Sequence, residues 1–177
     1  MSRFEELTHK VDGFFARVRH RHGADMQCAT GCSDCCHVEL TVTAVEAAAI
    51  RAHVGGWPAA QRRGLAPGER RADTIGRCAA LDAAGRCKIY DARPLVCRSH
   101  GVPIRLRQGG LPVVQSCHRN FRHTVPDADC VLDQTTLSAM LLAIDAEARA
   151  ARPVGADPGE PGPRVELAGL LAALAAI

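Results

Sequence analysis

The chain has 177 residues with a formal charge of +3 at pH 7, and 47% of its residues are apolar although only 3% are aromatic. The length suits one domain. The small positive excess does not indicate nucleic acid, and the scarcity of aromatic side chains argues against stacking on bases. Aromatic side chains bury the largest areas, so a core with so few of them gains from a further cross-link such as a bound metal.

The N-terminal segment is charged and periodic, without the apolar centre of a signal peptide. No run reaches the roughly 18 apolar residues that a membrane span needs. These features predict a cytoplasmic protein without a membrane segment. Cytoplasmic thiols stay reduced, so clustered cysteines there hold metal more often than they form disulfides. The cysteines number nine, and an odd number also excludes complete internal pairing.

Two helices are predicted in the first third of the chain. Apolar residues recur at helical spacing over residues 3–21. Thr43 and Glu46 form a capping-box pattern that opens a short helix through Val54. Residues 57–76, interrupted by Arg, Gly and Pro, predict helix pieces and loop.

A β-hairpin and a further helix are predicted in the second half. Residues 102–106 and 111–115 flank Gly109-Gly110 and read as the two strands of a hairpin. Asp133 is a candidate N-cap for a helix with an apolar stripe from Leu137 to Ala148. The predicted fold class is mainly α with a small β-hairpin (α+β), around an irregular, metal-organised, cysteine-rich core.

The domain organisation follows from a change in composition near the C-terminus. Residues 1–151 are predicted to form a single cysteine-cluster domain, and residues 152–164 a Pro/Gly linker. Residues 165–177 form an apolar segment that predicts a helix too short to cross a membrane. That C-terminal helix either packs back on the domain or binds a protein partner.

The opening stretch, Cys28–Cys36, places Cys28, Cys32, Cys35 and Cys36 within nine residues. Gaps of two or three residues let a chain curl around a metal ion. In an extended backbone Cys35 and Cys36 would point opposite ways, so one of them would serve a second metal position or the core. The first three cysteines also match the spacing of radical S-adenosylmethionine enzymes. Those enzymes need an alternation of strands and helices that this chain lacks.

A second cysteine group follows as Cys78-Ala-Ala-Leu81 and Cys87-Lys-Ile-Tyr-Asp-Ala-Arg-Pro-Leu-Val-Cys97-Arg98. Together with the opening stretch, this order resembles the YkgJ-like cysteine-cluster family, the CxxCxxCC zinc- or iron-chelating domain, over residues 28–117. The family's short name has two residues in its first gap, where this chain has three. The resemblance implies that the chelating set is Cys28, Cys32, Cys35, Cys36, Cys78, Cys87, Cys97 and Cys117.

Several residues near this set have two readings. Cys130 lies outside the motif and is either a small buried apolar residue or a further ligand. His37, His100 and His118 each lie within three residues of a chelating cysteine, so each either replaces a thiolate on zinc or is an ordinary polar residue. A four-thiolate centre carries about −2 net charge. Flanking cations either offset that charge by hydrogen bonds to sulfur or coat the surface: Arg77, Arg86, Lys88, Arg93, Arg98, Arg119 and Arg122.

Eight thiolates equal two four-thiolate sites, one iron–sulfur cluster plus a zinc, or a thiolate-bridged multinuclear centre. The lengths of the loops between the cysteines, and a core with few aromatic side chains, favour zinc. The three-cysteine opening, and relatives described as iron–sulfur proteins, favour a [4Fe–4S] cluster, to which the interpretation leans slightly.

The predicted function is metal binding in a structural or redox-sensing role. One alternative is an enzyme, because the domain resembles one found in flagellin lysine methylases, which implies cluster-dependent protein methyl transfer. The other is a zinc-scaffolded protein-interaction module. No catalytic or cofactor-binding pattern stands out beyond the cysteines, so whether the chain is an enzyme stays open.

Overall fold

A computed structural model describes residues 1–66, 76–151 and 164–177. Residues 67–75 of the predicted helix pieces and loop lie outside the described residues. The predicted linker also lies outside them, except for Arg164. The helices are α1 (Arg3–Arg21), α2 (Ala44–Gly55), α3 (Ala59–Arg63), α4 (Leu95–Ser99), α5 (Gln134–Ala150) and α6 (Leu167–Ala175). The strands are β1 (Thr41–Thr43), β2 (Ile104–Gln108), β3 (Leu111–Gln115), β4 (Leu132–Asp133) and β5 (Arg164–Glu166). The predicted mainly helical α+β class is confirmed. Among the described residues, no helix has the length and apolarity that crossing a membrane requires.

The chain divides into two compact units, each built from two separate stretches of sequence. The first unit combines Met1–Ala29 with Leu95–Glu147, and the second combines Thr30–Pro94 with Ala148–Ile177. The boundary at Ala29 falls inside the opening stretch, between Cys28 and Cys32. The cysteine motif therefore supplies residues to both units.

The first unit is organised by α1, whose bounds are those predicted. Ser2 caps the helix: its hydroxyl accepts a hydrogen bond from the Glu5 amide, and its own amide donates to the Glu5 carboxylate. One face of α1 buries Phe4, Leu7, Val11 and Val18. The α4 helix lies against α1, where Arg98 forms an ion pair of 2.6 Å with Asp12.

The predicted hairpin of the first unit is confirmed, with a later start. β2 and β3 pair antiparallel from Ile104 opposite Gln115 to Gln108 opposite Leu111. Pro103, predicted within the first strand, precedes β2, and its carbonyl accepts a hydrogen bond from the Leu132 amide (2.8 Å). This bond leads into β4, which pairs parallel with β2 and was not predicted.

The α5 helix begins at the predicted N-cap, because an Asp133 oxygen accepts the Thr136 amide (2.8 Å). Of its predicted apolar stripe, Leu137 and Ile144 are buried, whereas Met140 is 40% exposed. The core of this unit contains Val18, Met26, Val102 and Cys130.

The second unit is built around α2 and α6. The predicted capping box is confirmed: the Thr43 amide donates to Glu46 Oε2 (2.9 Å), and the Thr43 hydroxyl accepts the Glu46 amide. α6 packs on α2 and α3, which is the first of the two alternatives for the C-terminal segment. The predicted helical start at residues 165 and 166 is wrong, because Val165 and Glu166 lie in β5, which pairs antiparallel with β1. The core of the unit consists of Val42, Ala47, Ile50, Val54, Leu65, Ala80, Ile89, Leu167, Leu170, Leu171 and Leu174.

Candidate metal centre

The nine cysteines are all free thiols, and they divide between the two units. The second unit contains Cys32, Cys35, Cys36, Cys78 and Cys87. The first unit contains Cys28, Cys97, Cys117 and Cys130. Each unit therefore carries a set of thiols with its own local frame.

In the second unit, a backbone hydrogen bond and a tight turn bring the cysteine segments together. The Cys78 amide donates to the Cys36 carbonyl (2.7 Å), which ties the opening stretch to the second cysteine group. Cys87 pairs across a β-bridge with Leu81. Between them Asp82 accepts the amides of Ala84 and Arg86, both at 2.8 Å. Residues 82–85 thus form a tight turn, which brings the segments of Cys78 and Cys87 side by side.

Two glycines let this turn approach the opening stretch. Gly31 and Gly85 both have positive φ, 90° and 75°, a region that favours glycine. A Cβ on Gly85 would lie 3.3 Å from the Gly31 carbonyl oxygen and from the Ser33 hydroxyl. A side chain at residue 85 would therefore crowd the opening stretch, whereas at residue 31 only the positive φ favours glycine.

Cys35 and Cys36 lie together, not apart. The expected extended backbone is wrong, because Asp34–Cys36 form a single 3₁₀ turn in which the Cys36 amide donates to the Ser33 carbonyl (2.8 Å). The two sulfurs are consequently 3.9 Å apart. Both thiols are available to the same centre.

Burial, with a smaller contribution from neighbouring negative charge, raises the pKa of three thiols in the second unit, those of Cys35, Cys36 and Cys87. Loss of hydration around its half-enclosed sulfur, together with the charge of Cys36, raises the pKa of Cys35 to about 12, although the residue as a whole is exposed. Burial also raises the pKa of Cys36, and the charges of Cys78 and Cys87 add to that rise. Five thiolates in this unit would repel one another unless a cation bound among them.

The predicted cations of this unit do different things. Burial raises the pKa of Cys87, and the positive charge of Arg93 opposes that rise. Arg93 also stacks on Tyr90, 4.0 Å from the ring centre. Arg77 and Arg86 instead bind Asp82, through its carbonyl (2.6 Å) and its carboxylate (2.9 Å). Arg93 thus favours the ionised form of the Cys87 thiol. Arg77 and Arg86 instead stabilise the turn through Asp82.

In the first unit, Asn120 and Gly101 enclose the Cys28 thiol. The buried Asn120 side chain donates to the Gly101 carbonyl (2.7 Å) and to Cys28 Sγ (3.3 Å), and accepts the Gln27 amide (2.8 Å). The backbone amide of Asn120 donates to the Cys117 carbonyl (2.8 Å). A Cβ on Gly101 would lie 2.6 Å from Cys28 Sγ. The sequence did not point to Asn120 or Gly101, because a single Asn or Gly carries no motif.

The other predicted residues of this unit are placed less specifically. Cys97 lies in α4, next to the Arg98 that binds Asp12 on α1. His100 and His118 are exposed, and so is His37 of the second unit. Whether any of the three histidines replaces a thiolate stays a prediction.

The spacing of the thiols bears on the kind of metal centre. A single zinc with Zn–S bonds of about 2.3 Å needs sulfurs about 3.8 Å apart. Within each unit, considering the described residues, no three thiols lie within 4.8 Å of one another. The 3.9 Å between Cys35 Sγ and Cys36 Sγ matches the zinc spacing.

A mainly helical α+β chain that gathers cysteine thiols on tight turns has the features of a metal-binding protein. The model of the CxxCxxCC family, described as a zinc- or iron-chelating domain, matches residues 27–117. This match spans just over half of the chain and contains all eight predicted ligands, so the chain belongs to this family. No curated protein and no solved structure matches it.

Proposed function

We propose that this metal-chelating chain binds an iron–sulfur cluster of the [4Fe–4S] type through its cysteine thiolates, in a structural or redox-sensing role. The ligands come from the eight cysteines that the family resemblance implies. Zinc is the alternative metal, and two thiol sets leave room for more than one centre. The observation that carries the proposal is the arrangement of the five thiols in the second unit.

Metal binding would change the ionisation of these thiols. Burial, with a smaller contribution from neighbouring negative charge, raises the pKa of Cys35, Cys36 and Cys87. A bound metal opposes that rise, because it stabilises the thiolate form of each ligand. Metal binding at these thiols should therefore release protons and strengthen as the pH rises.

The spread of the thiols fits a multinuclear centre, although the 3.9 Å between Cys35 Sγ and Cys36 Sγ fits a single zinc. Each cysteine thiolate of a [4Fe–4S] cluster binds a different iron, so the cysteine sulfurs lie further apart than around one zinc. Within the second unit the described thiols are close enough to alter one another's pKa, yet no three of them lie within 4.8 Å. A multinuclear centre fits such a spread.

When bound, an iron–sulfur cluster supplies one-electron chemistry and a multivalent cross-link. The chain's own residues fix where the ligands stand. In the second unit, the backbone hydrogen bond between Cys78 and Cys36 and the turn at Asp82 fix the positions of the cysteine segments. The side-chain amide of Asn120 donates to Cys28 Sγ. Such hydrogen bonds to sulfur tune the reduction potential of a cluster.

The proposal is tested by measuring iron and acid-labile sulfide in anaerobically purified protein. We expect both in the wild type, and much less of both in the Cys36→Ser and Cys87→Ser variants. Cys130→Ala is the matched control, since Cys130 lies outside the family match, and it should keep wild-type iron and sulfide. Iron-free protein with stoichiometric zinc would exclude the iron–sulfur proposal, and an unchanged content in both serine variants would exclude the ligand set.

A further inference from the structure

We propose a second, separate metal site in the first unit, for a zinc-like divalent ion, built from His22, Asp127 and Cys130. A ring nitrogen of His22, a carboxylate oxygen of Asp127 and the sulfur of Cys130 all lie within 4.8 Å of one another. All three residues fall outside residues 27–117, which the family model matches. The site is therefore independent of the eight family cysteines.

His22 has the surroundings of a metal-binding histidine. Its Nε2 atom is buried and makes no hydrogen bond within the described ranges, and it lies 3.3 Å from Asp127 Oδ2. Its other nitrogen, Nδ1, lies 3.7 Å from a carboxylate oxygen of Asp25. A carboxylate behind one nitrogen, with the other nitrogen directed at a metal, is a common arrangement around metal-binding histidines.

Phe121 fixes the orientation of the imidazole ring. The two rings meet edge to face, with centroids 5.3 Å apart. Phe121 is held in turn by its amide, which donates to the Asp25 carbonyl (2.9 Å). Its φ of 53° is unusual for a large side chain. The backbone thus holds a strained conformation at the residue that positions His22.

A single turn presents the other two ligands. Ala128–Cys130 form a 3₁₀ turn after Asp127, closed by a hydrogen bond from the Cys130 amide to the Asp127 carbonyl (2.9 Å). The turn places the Asp127 carboxylate and the Cys130 sulfur within 4.8 Å of each other. Cys130 is fully buried. Burial suits a ligand and argues against a nucleophile that must reach a substrate.

The charges around the site favour a cation. Arg21 Nη1 donates to both carboxylate oxygens of Asp129 (2.7 and 2.8 Å), to Asp127 Oδ2 (3.4 Å) and to Cys130 Sγ (3.7 Å), so a positive charge already lies against two of the three ligands. Arg17 also acts on Asp129. With Cys130 as thiolate, Asp25, Asp127, Asp129 and Cys130 carry four negative charges against these two arginines. A divalent ion would bring the group to neutrality.

The distances need only a small closure to bind zinc. Zn–N, Zn–O and Zn–S bonds of about 2.0–2.3 Å place neighbouring ligand atoms about 3.4–3.6 Å apart. Nε2 of His22 and Oδ2 of Asp127 are already 3.3 Å apart. The side chain of Asp127 is 54% exposed, so water can occupy a fourth position. Three protein ligands and a water form an open zinc site.

The test is zinc stoichiometry, measured by equilibrium dialysis of anaerobically purified full-length protein and its variants. We expect the wild type to bind one zinc more than His22→Ala and one more than Asp127→Asn. The matched control is Glu6→Gln, which removes an exposed carboxylate near the other end of α1, far from the three ligands, and should bind as much zinc as the wild type. Iron and labile sulfide should be equal in all four proteins, so that a failure here is distinguishable from a failure of the cluster proposal.

Asp127→Asn decides the outcome, because it conserves volume on an exposed side chain and leaves the buried core intact. Equal zinc in Asp127→Asn and in the wild type would overturn the proposal, as would an equal loss in Glu6→Gln. Cobalt provides a second readout. The thiolate-to-cobalt absorption of the wild type should exceed that of Cys130→Ala by one site, and identical spectra would also overturn the proposal.

Discussion

Gly101 is the residue at which backbone conformation and the cysteine set constrain each other most closely. Its φ is +102°, and a Cβ would lie 2.6 Å from Cys28 Sγ. We therefore expect Gly101→Ala to displace Cys28 and to lower the metal content of the purified protein. Forcing an alanine into this conformation should also cost about 1–3 kcal/mol of stability, measured by denaturant unfolding.

Gly110→Ala provides the matched control for this substitution. Gly110 also has a positive φ, +84°, but a Cβ there would have nothing within 4 Å. It should share the backbone cost and leave the metal content at the wild-type level. Wild-type metal in Gly101→Ala would mean that the position of Cys28 does not matter for binding.

At the same scale, the sequence predicts ligand candidates better than it predicts what holds them. The cysteines follow from a motif, because their spacing is itself the signal. Asn120 makes hydrogen bonds to Gly101, Cys28 and Gln27, residues that lie 19 to 93 positions away. Local patterns carry no information about such distant partners.

The start of α2 shows what one cap contributes to an element. The Thr43 hydroxyl accepts the Glu46 amide and donates to Glu46 Oε2 (2.9 Å), and both residues are buried. Thr43→Ala removes these bonds and leaves the Glu46 carboxylate with one hydrogen bond fewer. We expect a loss of about 1–2 kcal/mol, measured as a shift of the denaturant midpoint.

Thr43→Ser keeps the hydroxyl and should lose less stability than Thr43→Ala. Both variants should retain metal, since α2 contributes no cysteine. Equal destabilisation by serine and alanine would show that the methyl group, and not the capping hydroxyl, accounts for the loss.

Helices were predictable because their signals are local. Apolar spacing gave the bounds of α1, and the capping pair gave the start of α2. The β1–β5 pairing was not predictable, because Thr41 pairs with Glu166, far away in sequence, and three-residue strands have no periodicity. The relative direction of Cys35 and Cys36 could not be predicted, because no local sequence pattern indicates the turn in which the Cys36 amide donates to the Ser33 carbonyl.

At the scale of the whole molecule, the cysteine motif supplies thiols to two compact units. The sequence predicts the fold class and the family, yet no change in composition marks the boundary between Cys28 and Cys32. Contacts between distant stretches define that boundary. Arg164–Glu166, for example, joins the second unit by pairing with β1.

Metal binding should contribute to folding of the whole chain. If the thiolates hold metal, the binding free energy appears as stability, which for structural zinc in small domains is about 10 kcal/mol or more. We expect chelation under reducing conditions to lower the melting temperature strongly, and readdition of metal to restore it. An unchanged melting temperature in metal-free protein would remove the structural role.

The most direct test of the iron–sulfur proposal is the X-ray absorption spectrum of anaerobically purified protein at the iron and zinc edges. We expect an iron edge whose fine structure shows sulfur neighbours at about 2.3 Å together with a second shell of iron. Asp127→Asn should leave that iron signal unchanged and reduce only the zinc edge. A protein without iron, whose zinc has four sulfur neighbours at about 2.3 Å, would contradict it.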